Sequence, residues 1–406
     1  GQGMRFFGGV DWGSREHAAC VLDEEGKVVA ERMFAHTPAG LQELGDWIVK
    51  HAPEQASIAI EVPRGPVVEA LVDRGLEVFA INPKQLDRFR DRFGPSGAKD
   101  DRRDARVLAD SLRTDGRAFR KVVAAAAWLV ELRELSRMRD ELVIERVALT
   151  NGIREQLGRY FPQMLEVIDE VDTSWAMALL DVAPTPAAAR TLPRAKLERV
   201  MAGVRRLTVD EARTRLRGRG FHVTPGTIEA ASRHMKMLLR RLVLIVQELR
   251  DCDAAIEATF EGLTKGEAEN DDLGQQSEQR DVAVLLSLPG VGRTILAALL
   301  AEAWEALRTR NYHALRVMSG AAPVTKRSGK QLAVVRRLSR NKRLEQAVYH
   351  WARCSTQHDP TSRSKYAALR ARGHSHGRAL RGVADRLLGV ACAMLQSGTT
   401  FRAEPA

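Results

Sequence analysis

An α/β domain followed by an all-α region is the architecture this 406-residue sequence predicts, on three observations. Short apolar runs bounded by turn residues fill the first hundred positions, the pattern of strands interleaved with helices. Two long stretches with apolar residues three and four apart follow, and the last third joins helix-period runs to a concentrated basic charge. These patterns divide the chain into an α/β domain over 4–120, a long helical region over 121–264 with an inserted lobe near 161–221, a linker over 265–280, and a mostly helical C-terminal domain over 281–398.

Phe6 to Trp12 reads as a strand ending in a Gly13-Ser14 turn, and Ala18–Leu22 and Val28–Phe34 as two more, parted by Asp23-Glu24-Glu25-Gly26. Gaps of turn length make these an antiparallel meander. A helix follows over about 37–51, where Leu41, Leu44, Trp47 and Ile48 share a face. The strand Ser57–Glu61, a helix near Pro66–Arg74, the strand Glu77–Ile81 and a helix over Pro83–Phe93 complete the series. A meander that passes into alternating strands and helices describes a ribonuclease-H-like fold.

Within that fold, carboxylates recur at strand ends. Asp11 closes the first apolar run and Glu61 closes another. After the loop Gly94-Pro95-Ser96-Gly97 comes Lys99-Asp100-Asp101-Arg102-Arg103-Asp104-Ala105, in which Asp101 and Asp104 share one face of a helix start. Taken alone, that heptapeptide is equally an acidic first turn favoured by the helix dipole beside a solvated Arg pair. Together with Asp11 and Glu61 it suggests a site for a hard divalent cation, Mg²⁺ above all. Pairs of such ions can activate an attacking oxygen and stabilise a leaving oxygen at a phosphodiester.

Trp128, Leu132, Leu135, Leu142, Leu149, Ile153 and Leu157 follow a heptad-like spacing interrupted by Arg139 and Arg146. Met235, Leu238, Leu242, Ile245, Leu249, Cys252 and Ile256 repeat it. Two such helices separated by a lobe predict an antiparallel coiled-coil stalk, either an intramolecular hairpin or a dimerisation arm. Pro184, Pro186 and Pro193 break up the lobe between them. Lys265–Arg280 has almost no apolar content and reads as a flexible linker.

The chain carries a net charge of +11, yet between Ala306 and Arg386 alone 19 Lys/Arg face only Glu345, Asp359 and Asp385. That concentration calls for a polyanionic partner. Leu288-Pro289-Gly290-Val291-Gly292, followed by a helix from Arg293, resembles a helix-hairpin-helix contact to a nucleic-acid backbone, or is an ordinary turn between packed helices. Without the Lys-Ser/Thr of a P-loop it is not an ATP site. Further on, an irregular small-residue loop crowds Lys326, Arg327, Gly329 and Lys330 around Ser328. Such a loop binds phosphate, and a serine so placed could attack one. Arg336, Arg337, Arg340, Lys342 and Arg343 extend the basic surface. The four cysteines form no Cys-x-x-Cys pair, which speaks against zinc and disulfides and for a reducing cytoplasm. No membrane span or signal peptide is visible.

Read in order, Asp11, Glu61, Lys99-x-Asp101-x-x-Asp104-Ala105, the coiled coil, Leu-Pro-Gly-Val-Gly and Gly-x-x-Pro-x-x-x-x-Ser-Gly resemble the DEDD transposases of bacterial insertion sequences, a group that includes the pilin-gene invertases. The resemblance runs from Met4 to about Leu395. It implies a Holliday-junction-resolvase-like (RuvC-like) N-terminal domain whose Asp11, Glu61, Asp101 and Asp104 bind Mg²⁺ (or Mn²⁺). It implies a serine transposase domain whose Ser328 forms a transient 5′-phosphoserine bond to DNA. It further implies guidance by a structured non-coding bridge RNA that pairs with donor and target double-stranded DNA, and a homodimer through the coiled coil assembling to a homotetramer. Such a protein would work in the bacterial cytoplasm, at the nucleoid. By the same resemblance Lys99 contacts nucleic acid near the metal, while Asp100 stands where the family usually has Thr and is not counted as a ligand. Two alternatives stay open: a junction-resolving endonuclease that uses metal-activated water, with Ser328 only a phosphate contact, and a non-catalytic nucleic-acid-binding scaffold.

Overall fold

The computed structural model describes residues 5–401, apart from 54, 82, 91–99, 123–124, 266–272, 329–330 and 336–339. The chain divides into two units, Gly1–Ala126 and Ala127–Ala406.

In the first unit β1 (Arg5–Asp11), β2 (Glu16–Leu22) and β3 (Val28–Ala35) form the expected antiparallel meander. Helix α1 (Pro38–His51) starts where the Thr37 side chain accepts from Gly40 N and Pro38 fills a position that needs no N–H. Strand β4 (Gln55–Ile60) returns parallel to β1, and after α2 (Pro66–Val72) strand β5 (Glu77–Ala80) lies parallel to β4. Helices α3 (Pro83–Arg90) and α4 (Asp101–Asp115) lead to β6 (Arg120–Lys121), which pairs antiparallel with β5. The mixed sheet has the order β3-β2-β1-β4-β5-β6. Strand β6 has no counterpart in the sequence reading, since two basic residues carry no apolar signal.

Helices cover both faces of this sheet. Val10, Phe34, Leu44, Ile48, Ile58, Ile60 and Leu71 form the core under α1 and α2. On the other face α4 lies unusually close: a Cβ built on Gly9 would stand 1.9 Å from the Ala105 carbonyl oxygen and 2.7 Å from the Ala109 nitrogen. Ala18, Cys20, Leu22, Ala105 and Ala109 pack around that approach.

The second unit is built on α5 (Ala127–Tyr160) and α11 (Thr227–Lys265). They run antiparallel, since Leu135 meets Cys252, Glu145 pairs with Arg241, and Gly152 abuts Leu238. Leu132, Leu149, Ile153 and Leu157 face Met235, Leu242, Leu249 and Cys252 along a buried seam. The two arginines that interrupt the heptad turn aside, Arg139 to Asp253 at 2.5 Å and Arg146 to Asp172 at 3.5 Å. Between the long helices lie the short α6 (Pro162–Val167), α7 (Ser174–Val182), α8 (Pro186–Thr191), α9 (Arg194–Val200) and α10 (Val209–Leu216), sharing a core with the far halves of α5 and α11.

The remainder comprises α12 (Leu273–Leu286), α13 (Arg293–Arg308), α14 (Tyr312–Met318), a hairpin of β7 (Val324–Ser328) and β8 (Gln331–Val335), then α15 (Lys342–His358), α16 (Pro360–Ala371) and α17 (His376–Ser397). Expectations for this region are corrected here. The stretch read as a linker is helical from Leu273 onward, and Glu278 there accepts a hydrogen bond from Trp128 at 2.9 Å. The boundary near 265–280 does not separate compact units either, because Leu129 and Leu132 of α5 and Ile256 and Phe260 of α11 share one core with α13, α15 and α17. Length and polarity mislead where a short amphipathic helix has one anchored end. The irregular loop expected around Ser328 is instead a two-stranded ladder, with Val324 opposite Val335 and Ser328 opposite Gln331. β-Branched residues at its root favour that pairing over the coil suggested by Gly, Ser and Lys.

No helix among the described residues is long and apolar enough to cross a membrane. Because the α4 backbone leaves no room for a methyl group, Gly9→Ala is expected to cost roughly 3 kcal/mol, the upper end for overpacking. Urea unfolding of the first unit's signal measures it, and a cost below roughly 1 kcal/mol would mean that α4 slides away freely.

Candidate active site and basic surface

Register brings the predicted carboxylates to one end of the sheet. Asp11 is the last residue of β1, and Val10 pairs with Ile60, so Glu61 follows directly beside Asp11. Gly9 faces α4, and alternation along the strand turns Asp11 to that same face. The direction of α4 is fixed at its other end. Arg113 reaches Glu24 O at 3.4 Å, and Glu24 accepts from Arg5 N at 2.7 Å at the start of β1. The N-terminus of α4, with Asp101 and Asp104, therefore lies at the Asp11 end. Asp101 is exposed, Asp104 is buried, and Asp11 and Glu61 are half-buried. Asp100 serves the helix itself: it caps α4, its carboxylate accepting from Arg102 N at 3.1 Å. Lys99 lies outside the described residues.

An all-oxygen donor set of three Asp and one Glu suits Mg²⁺ or Mn²⁺. Among the described residues, however, no three His, Cys, Asp or Glu side chains are gathered closely enough to hold an ion. Asp11, Glu61 and Asp104 each have other interactions. The backbone brings these residues to one edge without drawing their carboxylates around a common point, and mutual repulsion opposes that last step unless a cation is present.

Sequence reasoning missed the group that follows Asp11. Gly13 N donates to His17 Nδ1 at 3.3 Å, which leaves His17 Nε2 as the N–H that reaches His36 Nδ1 at 2.9 Å. His36 N in turn donates to Arg15 O at 2.8 Å, so both histidines fasten the β1–β2 turn. Trp12, 42% exposed, lies edge-on to His36 with ring centroids 6.2 Å apart. The available signal was a polar residue on the buried face of β2, where His17 is fully covered. Burial, and then the neighbouring His36, lower the His17 pKa from 6.5 to about 4.

In the second unit Ser328 ends β7, opposite Gln331. Both roots of its hairpin are tied to α14, Ala322 N to Arg316 O and Asn341 N to Met318 O, each at 2.8 Å. Asn341 also caps α15 and donates to Glu302 at 2.8 Å, while Arg137 of α5 holds the other Glu302 oxygen at 3.2 Å. The side chains of Ser328, Lys326 and Arg327, and Gly329, Lys330, Arg336 and Arg337 altogether, lie outside the described residues.

Of the remaining predicted nucleic-acid contacts, several are occupied internally. Arg340 pairs with Glu345 at 2.5 Å, Arg343 approaches Asp140 at 3.8 Å, and Arg293 pairs with Glu257 at 2.8 Å. Lys342 is exposed, as are Arg353, Lys365, Arg372 and Arg378, so α15–α17 do present a cationic surface. The Gly290 turn is held from within. Gly290 has φ 78°, a Cβ there would stand 2.7 Å from Ser355 N, and the Pro289 carbonyl accepts from Trp351 and Ser355. Packing against α15 accounts for that glycine, whereas Gly292, at the N-cap of α13, has open space.

Comparison with known proteins locates these features. A family profile described as "Transposase", of the DEDD type, matches residues 8–162, and one described as "Transposase IS116/IS110/IS902 family" matches residues 282–367. The putative transposase y4uE of Sinorhizobium fredii is similar, at 44% identity over 209 residues, spanning 50% of this chain and 58% of that protein. The mini-circle putative transposase for IS117 of Streptomyces coelicolor is 31% identical over 414 residues, 98% of this chain and 95% of that protein. An uncharacterized 42 kDa protein of insertion element IS900 from Mycobacterium paratuberculosis is 26% identical over 97% of this chain and 96% of its own length.

The lowered His17 pKa predicts the pH dependence of stability. Neutral in the folded state down to about 4 and protonated near 6.5 when unfolded, His17 makes unfolding take up close to one extra proton in between. Stability from this group is complete above about pH 6.5 and is lost progressively as pH falls toward 4. Urea midpoints from pH 7 to 5 should show that slope, and His17→Gln should flatten it.

Proposed function

This chain belongs to the IS116/IS110/IS902 family of transposases, enzymes that cut and rejoin DNA, and on that premise we propose that it exchanges strands through a covalent bond to Ser328 under the guidance of a structured RNA. The observation that carries the reading is the arrival of Asp11, Glu61, Asp101 and Asp104 at one edge of a mixed sheet, which suits a ribonuclease-H-like, Holliday-junction-resolvase-like domain. Asp11, Glu61, Asp101 and Asp104 would hold Mg²⁺ or Mn²⁺, which supplies charge neutralisation at a phosphodiester. Ser328 Oγ attacks phosphorus, the bond to the 3′ oxygen breaks, and that oxygen leaves as a 3′-hydroxyl carrying the serine proton. A 3′-hydroxyl from the other duplex reverses the step, releasing Ser328 and joining donor to target.

Sequence reading falls to the RNA, whose loops pair with donor and target double-stranded DNA. The exposed Lys342, Arg353, Lys365, Arg372 and Arg378 suit contacts to phosphates, which position nucleic acid without reading it. The protein works in the bacterial cytoplasm at the nucleoid. Its long helices form a coiled-coil arm that pairs two copies, and two pairs make a tetramer. Ile144 and Leu244, 69% and 58% exposed at the same level of α5 and α11, support this pairing. With Val147 and Val243 they put apolar surface on the outward faces of the helical pair, where a monomer gains nothing from it.

Protein purified with its element-end RNA, mixed with donor and target duplexes and Mg²⁺, should yield a denaturant-resistant protein–DNA adduct. Ser328→Ala and Asp11→Asn should each reduce the adduct below detection while leaving RNA binding intact. Cleavage that persists in Ser328→Ala without any adduct would assign the chemistry to a water-using nuclease. Separately, Ile144→Glu combined with Leu244→Glu should shift the mass in light scattering to that of a single chain, and an unchanged mass would place the copy interface elsewhere.

A further inference from the structure

The later half of the lobe between α5 and α11 is strongly basic. Over 190–221, ten Lys/Arg stand against Glu198, Asp210 and Glu211. Those three acids are engaged within the lobe, Glu198 and Asp210 by Arg194, and Glu211 by the Thr208 N–H and hydroxyl at the start of α10. The ends of α8 and α10 lie side by side, since Arg217 donates to the Arg190 carbonyl oxygen at 2.9 Å. Arg190 and Arg219 are exposed there. Beyond α10 the backbone is pinned: Gln163 of α6, itself buried, donates to Gly218 O at 3.3 Å, and a Cβ on Gly220 would stand 3.0 Å from its Nε2. Phe221 follows directly and is 62% exposed.

We propose that this end of the lobe binds an unpaired loop of RNA, one base stacking on the Phe221 ring while Arg190 and Arg219 meet the adjoining phosphates. A single exposed ring is common by itself. Set on a pinned backbone among arginines, it becomes a platform on which any base can stack, and guanidinium groups match phosphate oxygens in pairs. A duplex keeps its bases stacked on one another, so the ring calls for unpaired nucleotides, which RNA offers in loops and bulges. The lobe shares its core with the far halves of α5 and α11, whereas the Ser328 hairpin is rooted on α14 and α15 in the other core. The contact is therefore separate from the place where DNA would be cut. It goes beyond the strand exchange proposed above and does not depend on it.

The test follows binding of the full chain by fluorescence anisotropy to an RNA hairpin with a uridine loop, beside a fully paired RNA duplex of equal length. The hairpin should bind more tightly by roughly fivefold or more, the worth of one stacked base. Phe221→Ala should remove that advantage, weakening the hairpin by roughly fivefold and the duplex by less than about twofold, at unchanged Tm because the ring is exposed. Phe221→Trp should restore hairpin binding to the wild-type level. Arg190→Gln combined with Arg219→Gln should flatten the slope of log Kd against log salt by about 1.4, roughly 0.7 for each single-strand phosphate released. Hairpin binding indifferent to Phe221→Ala, or an equal loss for hairpin and duplex, overturns the proposal. So does a DNA hairpin of the same sequence bound more tightly than the RNA one. A fall in light-scattering mass with Phe221→Ala also overturns it, by making the ring a contact between copies. None of these readouts involves DNA cleavage, so failure here leaves the Ser328 reading standing.

Discussion

A missing side chain governs the first unit. With Gly9 in the middle of β1, the backbone of α4 can lie directly on the sheet, its Ala105 carbonyl where a Cβ would otherwise be. Helices normally stand off a sheet by the thickness of two layers of side chains. Here that spacing collapses to the width of the main chain, with Ala18, Ala105 and Ala109 continuing the small surface. The consequence is positional. Asp11 is two residues along from Gly9, and Asp104 is the residue before Ala105, so the contact that packs the helix also sets the approach of two candidate carboxylates.

The second unit solves a different problem, that of holding a hairpin outside the helical core. The ties are polar and converge on Glu302, whose side chain is 7% exposed and takes Arg137 of α5 on one oxygen and Asn341 at the hairpin's exit on the other. A buried carboxylate with both oxygens engaged is costly to disturb, since losing either partner leaves charge in a dry place. The long helix α5 and the start of α15 are thereby bound through one side chain, and the hairpin between α14 and α15 inherits a fixed root.

Much of this is legible in the sequence where periodicity is strong. The meander, the alternation that follows it and both long helices lie close to the positions that their apolar residues indicate, and Asp11 and Glu61 stand out because each ends an apolar run. What is not legible depends on contacts between distant segments. Nothing local marks Arg120–Lys121 as a strand; β5 supplies the partner. The segment after Leu273 looks like a linker because its anchor, Trp128, is 150 residues away. Among the basic residues read as contacts to nucleic acid, Arg343 and Arg293 each face an acid, Asp140 and Glu257, that sequence proximity does not reveal. The turn at Gly290 invites attention for its backbone N–H groups, whereas its glycine answers to the close approach of Ser355. His17 escapes notice because a lone histidine in a strand resembles many others until His36 is brought beside it.

The antiparallel course of α5 and α11 has a meaning for how such a chain can change. The chain leaves along one helix and comes back along its neighbour, so everything from α6 to α10 hangs from two adjacent ends. The shared core of that lobe reaches only the far halves of the long helices, while the near halves belong to the core of α13, α15 and α17. Residues inserted, deleted or exchanged within the lobe need not alter the register by which α5 meets α11 at Leu135 and Cys252. The lobe is in this sense a cartridge. Evolution or an engineer could replace it to suit a new partner while the hairpin of Ser328 keeps its footing.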